Sequence, residues 1–224
     1  MPSVAVKENH LTYNGKKYFR GGAEDVMLGA LGEKRTPLFG QNYLEVKDQI
    51  LVPAAAKVEV TEVSIDFTAT SKTDFKTDVS VEGIPGKLSG GVVFEKLRSG
   101  ELVLLKLSVL PNTMMGLLGG DYAKMVMMYD WGNDARVAHQ IFVVVRAELR
   151  NVYNNSQNLS VTANVDGITL SPTLTTSQTG SQRVVVSKNS VFAYLLAKVE
   201  WDKKEARHGR KKIVTLNDDQ WGMS

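Results

Sequence analysis

The chain has 224 residues, 43% of them hydrophobic and 23% charged, which excludes a disordered polypeptide and allows one domain or two very small ones. Its 27 lysines and arginines against 24 carboxylates give a net charge of +3, too mild to imply nucleic acid, so any basic function must come from local clusters. The lack of cysteine removes disulfides, thiol nucleophiles and thiolate metal sites, and His10, His139 and His208 show no ligand spacing, so neither metal nor cofactor is expected.

Met1-Pro2-Ser3-Val4 has no charged region followed by an apolar core, and no apolar run approaches the ~20 residues of a membrane helix, so a cytoplasmic chain is expected. Asn14-Gly15 tolerates the positive φ of a type I′ turn; it either joins two short strands or interrupts a basic helix carrying Lys7 and Lys16. Gly21-Gly22 is a break, and Gly32 to Gly40 reads as a loop punctuated by Pro37. Tyr43 to Leu51 reads as a short strand or helix, stopped by Pro53.

From Lys57 the character changes. Val58, Val60, Val63, Ile65 and Phe67 alternate with polar residues, with a phase shift near Thr61-Glu62 that predicts a bulge. Asp74 to Glu82 alternates at period two, placing Val79 and Val81 on its apolar face. After the turn Ile84-Pro85-Gly86-Lys87, residues Leu88 to Phe94 and Leu102 to Leu110 continue the strand character. Pro111-Asn112-Thr113 predicts one or two short helices, capped by Asn112 or Thr113 and broken at Gly119-Gly120. Five of the eight methionines fall there, and an adaptable core patch is favoured over a binding face.

Ile141 to Val145 opens a second β region. Leu159, Val161, Ala163 and Val165 alternate with small polar residues, Val191 to Trp201 is a strongly apolar strand, and 202–224 reads as a charged tail. No catalytic motif is present, and Asp66, Asp74, Asp78 and Glu82 read as a solvated strand face, so no enzyme is expected. The two β regions have two accounts: a half-buried antiparallel sheet, or hairpins that enter a bilayer as part of a closed barrel. Periodicity alone favours the sheet.

Three basic clusters bear on partners. Lys16, Lys17 and Arg20 form the first. Lys34 and Arg35 form the second, close to Leu38-Phe39, the cation-plus-apolar arrangement of an interfacial anchor; the bland alternative is a solvated loop whose Leu and Phe fold back to the core. The third, Lys203, Lys204, Arg207, Arg210, Lys211 and Lys212, is read as a solvated surface ahead of a nucleic-acid patch.

The order of these pieces resembles the gasdermin pore-forming domain. Val81-Glu82-Gly83-Ile84-Pro85-Gly86-Lys87-Leu88-Ser89-Gly90-Gly91 is similar to that family's first hairpin tip, and Leu107 to Thr113 with Leu117-Leu118 to its strand leading into a P-N-T helix start. Ile141 to Glu148 resembles the strand entering the second hairpin, Ser190 to Tyr194 the returning strand, and Tyr43 to Leu51 the strand before a K-D-I-L-type turn. The match is collinear over roughly 34–201 and its motifs are short.

The resemblance implies an α+β domain over 1–224, a twisted antiparallel sheet with short surrounding helices, whose hairpin regions 57–109 and 139–200 refold into a transmembrane β-barrel. It implies docking on an acidic phospholipid membrane through Lys34, Arg35, Leu38 and Phe39, with Lys16, Lys17 and Arg20 assisting, and Val79, Val81, Val161 and Ala163 facing lipid after insertion. The implied function is pore formation and cell death by a homo-oligomer or an oligomer with a related subunit, with no nucleic acid. The family's large C-terminal repressor is not expected here, and its N-terminal basic helix matches poorly because Asn14-Gly15 interrupts 1–20. The rival reading is a structural or assembly β-protein that forms a ring or tube without membrane insertion.

Overall fold

The computed structural model describes residues 1–155, 175–176, 182–183, 186, 189–208 and 210–222. These form a mixed α+β fold, mostly strands with a few short helices. Strands β1 (Ser3–Val6), β2 (His10–Tyr13), β3 (Lys16–Phe19), β4 (Ala30–Arg35), β5 (Tyr43–Gln49) and β6 (Glu59–Ile65) precede the short pair β7 (Val79–Ser80) and β8 (Lys87–Leu88). Helix α1 (Gly90–Ser99) leads into β9 (Leu102–Ser108), helices α2 (Pro111–Gly120) and α3 (Tyr122–Asp130), and β10 (Ala135–Arg146). After α4 (Arg150–Asn155) come the paired strands β11 (Thr175–Thr176) and β12 (Gln182–Arg183), then β13 (Val191–Trp201), α5 (Lys203–Arg207) and β14 (Ile213–Asp219).

The main sheet runs β14-β13-β3-β2-β1-β6-β9-β10-β4-β5, and β10 also pairs with β13. That second pairing closes seven strands into a barrel, with β14 and the β4–β5 hairpin hanging outside it. Closure asks one strand to serve two sheet directions. Two register shifts in the β10–β13 ladder, between Ala138 and Gln140 and between Phe142 and Val143, are the bulges that allow β10 to bend.

Strands β10 and β13 are buried on both faces, whereas β1, β2 and β6 leave outward side chains exposed or half-buried. Val4, Val6, Leu11, Tyr13, Tyr18, Val63, Leu104, Phe142, Val144 and Leu195 fill an inner core fed by all seven strands. Tyr18 and Phe142 meet edge-on at its centre, ring centroids 4.8 Å apart. Phe19, Leu105, Leu107, Ile141, Val143, Tyr194 and Leu196, one residue out of phase, pack outward against β4, α2 and α3. The unbroken apolar run Ile141 to Val145 follows from this, since both parities of the strand need apolar side chains.

Segment 66–101 folds over one end of the barrel. There α1 presents Val93, Phe94 and Leu97 to the inner core, a helical spacing that ends at Gly100, whose φ of +82 closes the helix. The sequence expectation of a strand over Leu88 to Phe94 is therefore corrected: Val93 and Leu97 lie one turn apart on one buried face. Likewise the expected strand 74–82 is reduced to Val79–Ser80 and a single bridge at Glu82, and its start at Asp74 belongs instead to a 3-10 turn, Lys72–Asp74, closed by a capping box between Ser71 and Asp74.

Other expectations resolve in the same way. Asn14 (φ +49) and Gly15 (φ +76) form the tight turn joining β2 to β3, so the strand alternative holds. The expected loop over 32–40 is half strand, because Gly32 to Arg35 pairs with β5. No register shift occurs in the β6–β9 ladder at Thr61-Glu62. The phase change arises instead because Val58 and Val60 pack in the outer core, whereas Val63 and Ile65 pack in the inner one. Two short helices do follow; Pro111 takes the first position of α2, so the expected cap by Asn112 or Thr113 is corrected to Leu110, which makes no side-chain cap, and Met114, Met125 and Met128 are buried in the outer core. The expected charged tail is also corrected: β14 forms an antiparallel ladder with β13, with one register shift between Glu200 and Trp201.

Candidate functional site

The β4–β5 hairpin carries the most conspicuous surface feature. Its ladder ends at Arg35 opposite Tyr43, and Pro37, which has no N–H to donate, prevents it from continuing. At the tip Leu38 is 94% and Phe39 101% exposed. The base is held firmly. Tyr194 accepts a hydrogen bond from Leu44 N at 2.9 Å and donates one to Gly21 O at 2.7 Å. A side chain at Gly21 would lie 2.7 Å from Asn42 O, so only glycine permits that close approach. Gln41 reaches across to Glu8 O at 3.4 Å. An apolar tip on an anchored base loses little entropy on docking, and burying Leu and Phe on a partner is worth about 1.5–3 kcal/mol each.

The cations expected to accompany this tip are placed elsewhere. Lys34 is buried; its ammonium lies 2.9 and 3.1 Å from the two Asp219 oxygens and 5.6 Å from the Phe19 ring centroid. Arg136 donates to the same carboxylate at 2.5 Å. An ammonium held this way cannot reach a phospholipid headgroup, so Lys34 is corrected from a surface anchor to a core ion pair. Arg35 is partly exposed and pairs with Glu45 and Glu33. Arg20 is buried: it donates to Lys7 O at 2.6 Å and Asp74 O at 2.5 Å, and its guanidinium lies 4.4 Å from the Phe192 ring centroid. Burial pushes its pKa down to about 10. It too is corrected, to an internal clamp.

Lys16 and Lys17 keep exposed surface, but both engage the C-terminal strand. Lys16 pairs with Asp218, whose other neighbour is the buried His139, with Nε2 3.1 Å from Oδ1. Lys17 lies 5.6 Å from the Trp221 ring centroid and its backbone N–H donates to Gln220 Oε1 at 3.0 Å. The structure thus gathers Lys16, Lys17 and Lys34 not on a membrane loop but around Asp218, Asp219, Gln220 and Trp221. Sequence reasoning missed β14 as their partner, although the β-branched run Ile213-Val214-Thr215 signalled a strand.

Val79 and Val81 are buried in the inner core, as their period-two spacing required. Val161 and Ala163 lie outside the described residues. Of the carboxylates read as a solvated face, Glu82 is corrected: it is 1% exposed and bridges the backbone of β10 at Val145. Among the described residues no three His, Asp or Glu side chains converge on a metal-sized site. No described helix is long and apolar enough to cross a membrane, which leaves open crossing by strands.

The strand order gives the site its larger frame. β6, β9, β10 and β13 are consecutive neighbours, all antiparallel. The connections 66–101, between β6 and β9, and 147–190, between β10 and β13, leave from the same end, where Val63, Leu104 and Val144 lie in register. Comparison of the chain with family models, curated proteins and solved structures gives no match.

Proposed function

We propose that this protein is a gasdermin-like pore-forming protein, not an enzyme, which docks on an acidic membrane, oligomerises, and inserts β-hairpins grown from β6–β9 and β10–β13. The observation that carries the reading is that run of four antiparallel strands with both long connections at one end. A hairpin needs ~9–11 residues per strand to span a bilayer, and each connection is long enough to supply two such strands. The inserted strands must close into a barrel shared by several subunits, because lipid offers no hydrogen-bond partners. Leu38 and Phe39 support the docking step, with the anchor resting on the apolar tip more than on Lys34 or Arg20.

Release of a trapped dye from phosphatidylserine-containing vesicles tests the proposal. Wild-type protein should cause leakage, and Leu38→Asp with Phe39→Asp should abolish it while leaving the melting temperature unchanged. Wild-type protein that binds such vesicles without leakage would refute pore formation. The ring or tube reading draws support from one observation: Val79 and Val81 already serve the soluble core. It expects rings in solution without lipid, visible by electron microscopy.

A further inference from the structure

The β13–β14 turn, residues 202–212, holds six lysines and arginines against two carboxylates. The rest of the chain then carries 21 cations and 22 carboxylates, so the whole positive excess of the protein resides in this one turn. We propose that the turn is a nucleic-acid-binding surface that grips the phosphate backbone without reading sequence, separate from the membrane tip.

The local structure presents the cations and occupies the acids. Asp202 caps α5, accepting from the backbone N–H groups of Lys204 at 2.9 Å and Glu205 at 3.1 Å, and Glu205 pairs with Arg210 at 3.1 Å. Lys203, Lys204, Arg207 and Lys212 are exposed and form no ion pair with a described residue. The base of the turn is fixed: Asp202 N donates to Lys212 O at 2.9 Å, and the Lys211 ammonium sits 3.7 Å from the Tyr129 ring centroid, itself packed edge-on against Trp201 at 5.1 Å. The charges are therefore held close together on a supported loop.

Chemistry favours a nucleic acid over a membrane. Apart from Ala206, residues 202–212 have no apolar side chain to insert between lipids, whereas the apolar Leu38-Phe39 tip has its neighbouring cations Lys34 and Arg35 in ion pairs. A dense line of phosphates with condensed counterions rewards clustered cations through ion release, with no need for apolar burial.

The test is fluorescence anisotropy of a labelled random-sequence duplex DNA with the full chain. Wild-type affinity should fall about a hundredfold between 50 and 200 mM salt, as about four phosphate contacts require. Lys203→Glu, Lys204→Glu and Arg207→Glu together should weaken binding at least tenfold at 50 mM salt with an unchanged melting temperature. The matched reversal of exposed cations elsewhere, Lys57→Glu, Lys87→Glu and Arg98→Glu, should weaken it far less. Equal losses in the two triple variants would make the effect one of overall charge and overturn the proposal. So would the absence of DNA binding at 50 mM salt, including the case where phosphatidylserine vesicles bind through the turn instead.

Discussion

At the scale of single residues, Asp219 is the most consequential side chain. It is buried between Lys34 and Arg136, both of which depend on its charge. Removing one partner of a buried ion pair leaves the other charges uncompensated, at a cost of about 3–5 kcal/mol. Asp219→Ala should therefore lower the melting temperature sharply. Lys34→Met with Asp219→Leu should be milder than Asp219→Ala, because fewer charges are left without a partner; the reverse order would refute the pairing argument. Lys34→Glu, an obvious probe of lipid attraction, would instead place two carboxylates together in the core and report on folding.

Neighbouring Asp218 gives a pH signature. The His139 ring, foremost, and the Lys16 ammonium hold its carboxyl well below the usual range. A folded pKa below the unfolded one means that the stabilisation is complete above the unfolded value, near ~4, and is lost as pH falls through the folded value. Asp218→Asn should thus flatten the loss of stability between about pH 5 and pH 2 relative to wild type, measured by thermal melts. Parallel curves for the two proteins would show that the carboxylate is not coupled to folding.

At the scale of elements, two contacts of the cover formed by 66–101 can be tested singly. Gly90, the first residue of α1, packs so tightly that an added Cβ would fall 1.7 Å from Phe75 O. Gly90→Ala must displace α1 or the backbone at Phe75, at a cost of about 1–3 kcal/mol. The second contact is that of Arg20, which ties the backbone of Asp74 to that of Lys7 and stacks on Phe192. Losing its two charge-assisted hydrogen bonds should cost about 3 kcal/mol or more, concentrated in this segment. Limited proteolysis of Arg20→Ala should show accelerated cutting within 66–89 before the barrel strands are attacked. A cleavage pattern identical to wild type would remove Arg20 from that role.

At the scale of the whole molecule, the closed barrel constrains any insertion mechanism. β6 is bonded to β9 on one edge and runs parallel to β1 on the other, with Ser3 opposite Ser64. A hairpin built on β6 and β9 must part from β1. Since the chain has no cysteine, Ser3→Cys with Ser64→Cys gives a single staple across that seam between two exposed positions. The oxidised protein should bind vesicles through the Leu38-Phe39 tip yet fail to release their contents, and reduction should restore leakage. Undiminished leakage from the oxidised form would mean that β6 does not move.

Much of this molecule follows from short-range chemistry that the sequence displays. Asn14-Gly15 can make its turn because both residues tolerate positive φ, whatever surrounds them. Ile141 to Val145 and Val191 to Trp201 have the apolar, β-branched character of buried strands, and Pro111 opens a helix by its fixed φ. The period-two spacing of Val79 and Val81 puts them together in one core. What required the tertiary structure is which groups meet across long separations. Nothing local to Lys34 marks it as buried, because its partner Asp219 lies 185 positions away, and Arg20 joins a carbonyl 54 positions on. The α1 face was legible only once Leu97 was counted with Val93, and the shift at Thr61-Glu62 gained its meaning only from two cores on opposite sides of one strand. Local sequence sets backbone preferences and apolar phase, whereas ion pairing and burial are decided by which distant strands the barrel brings side by side.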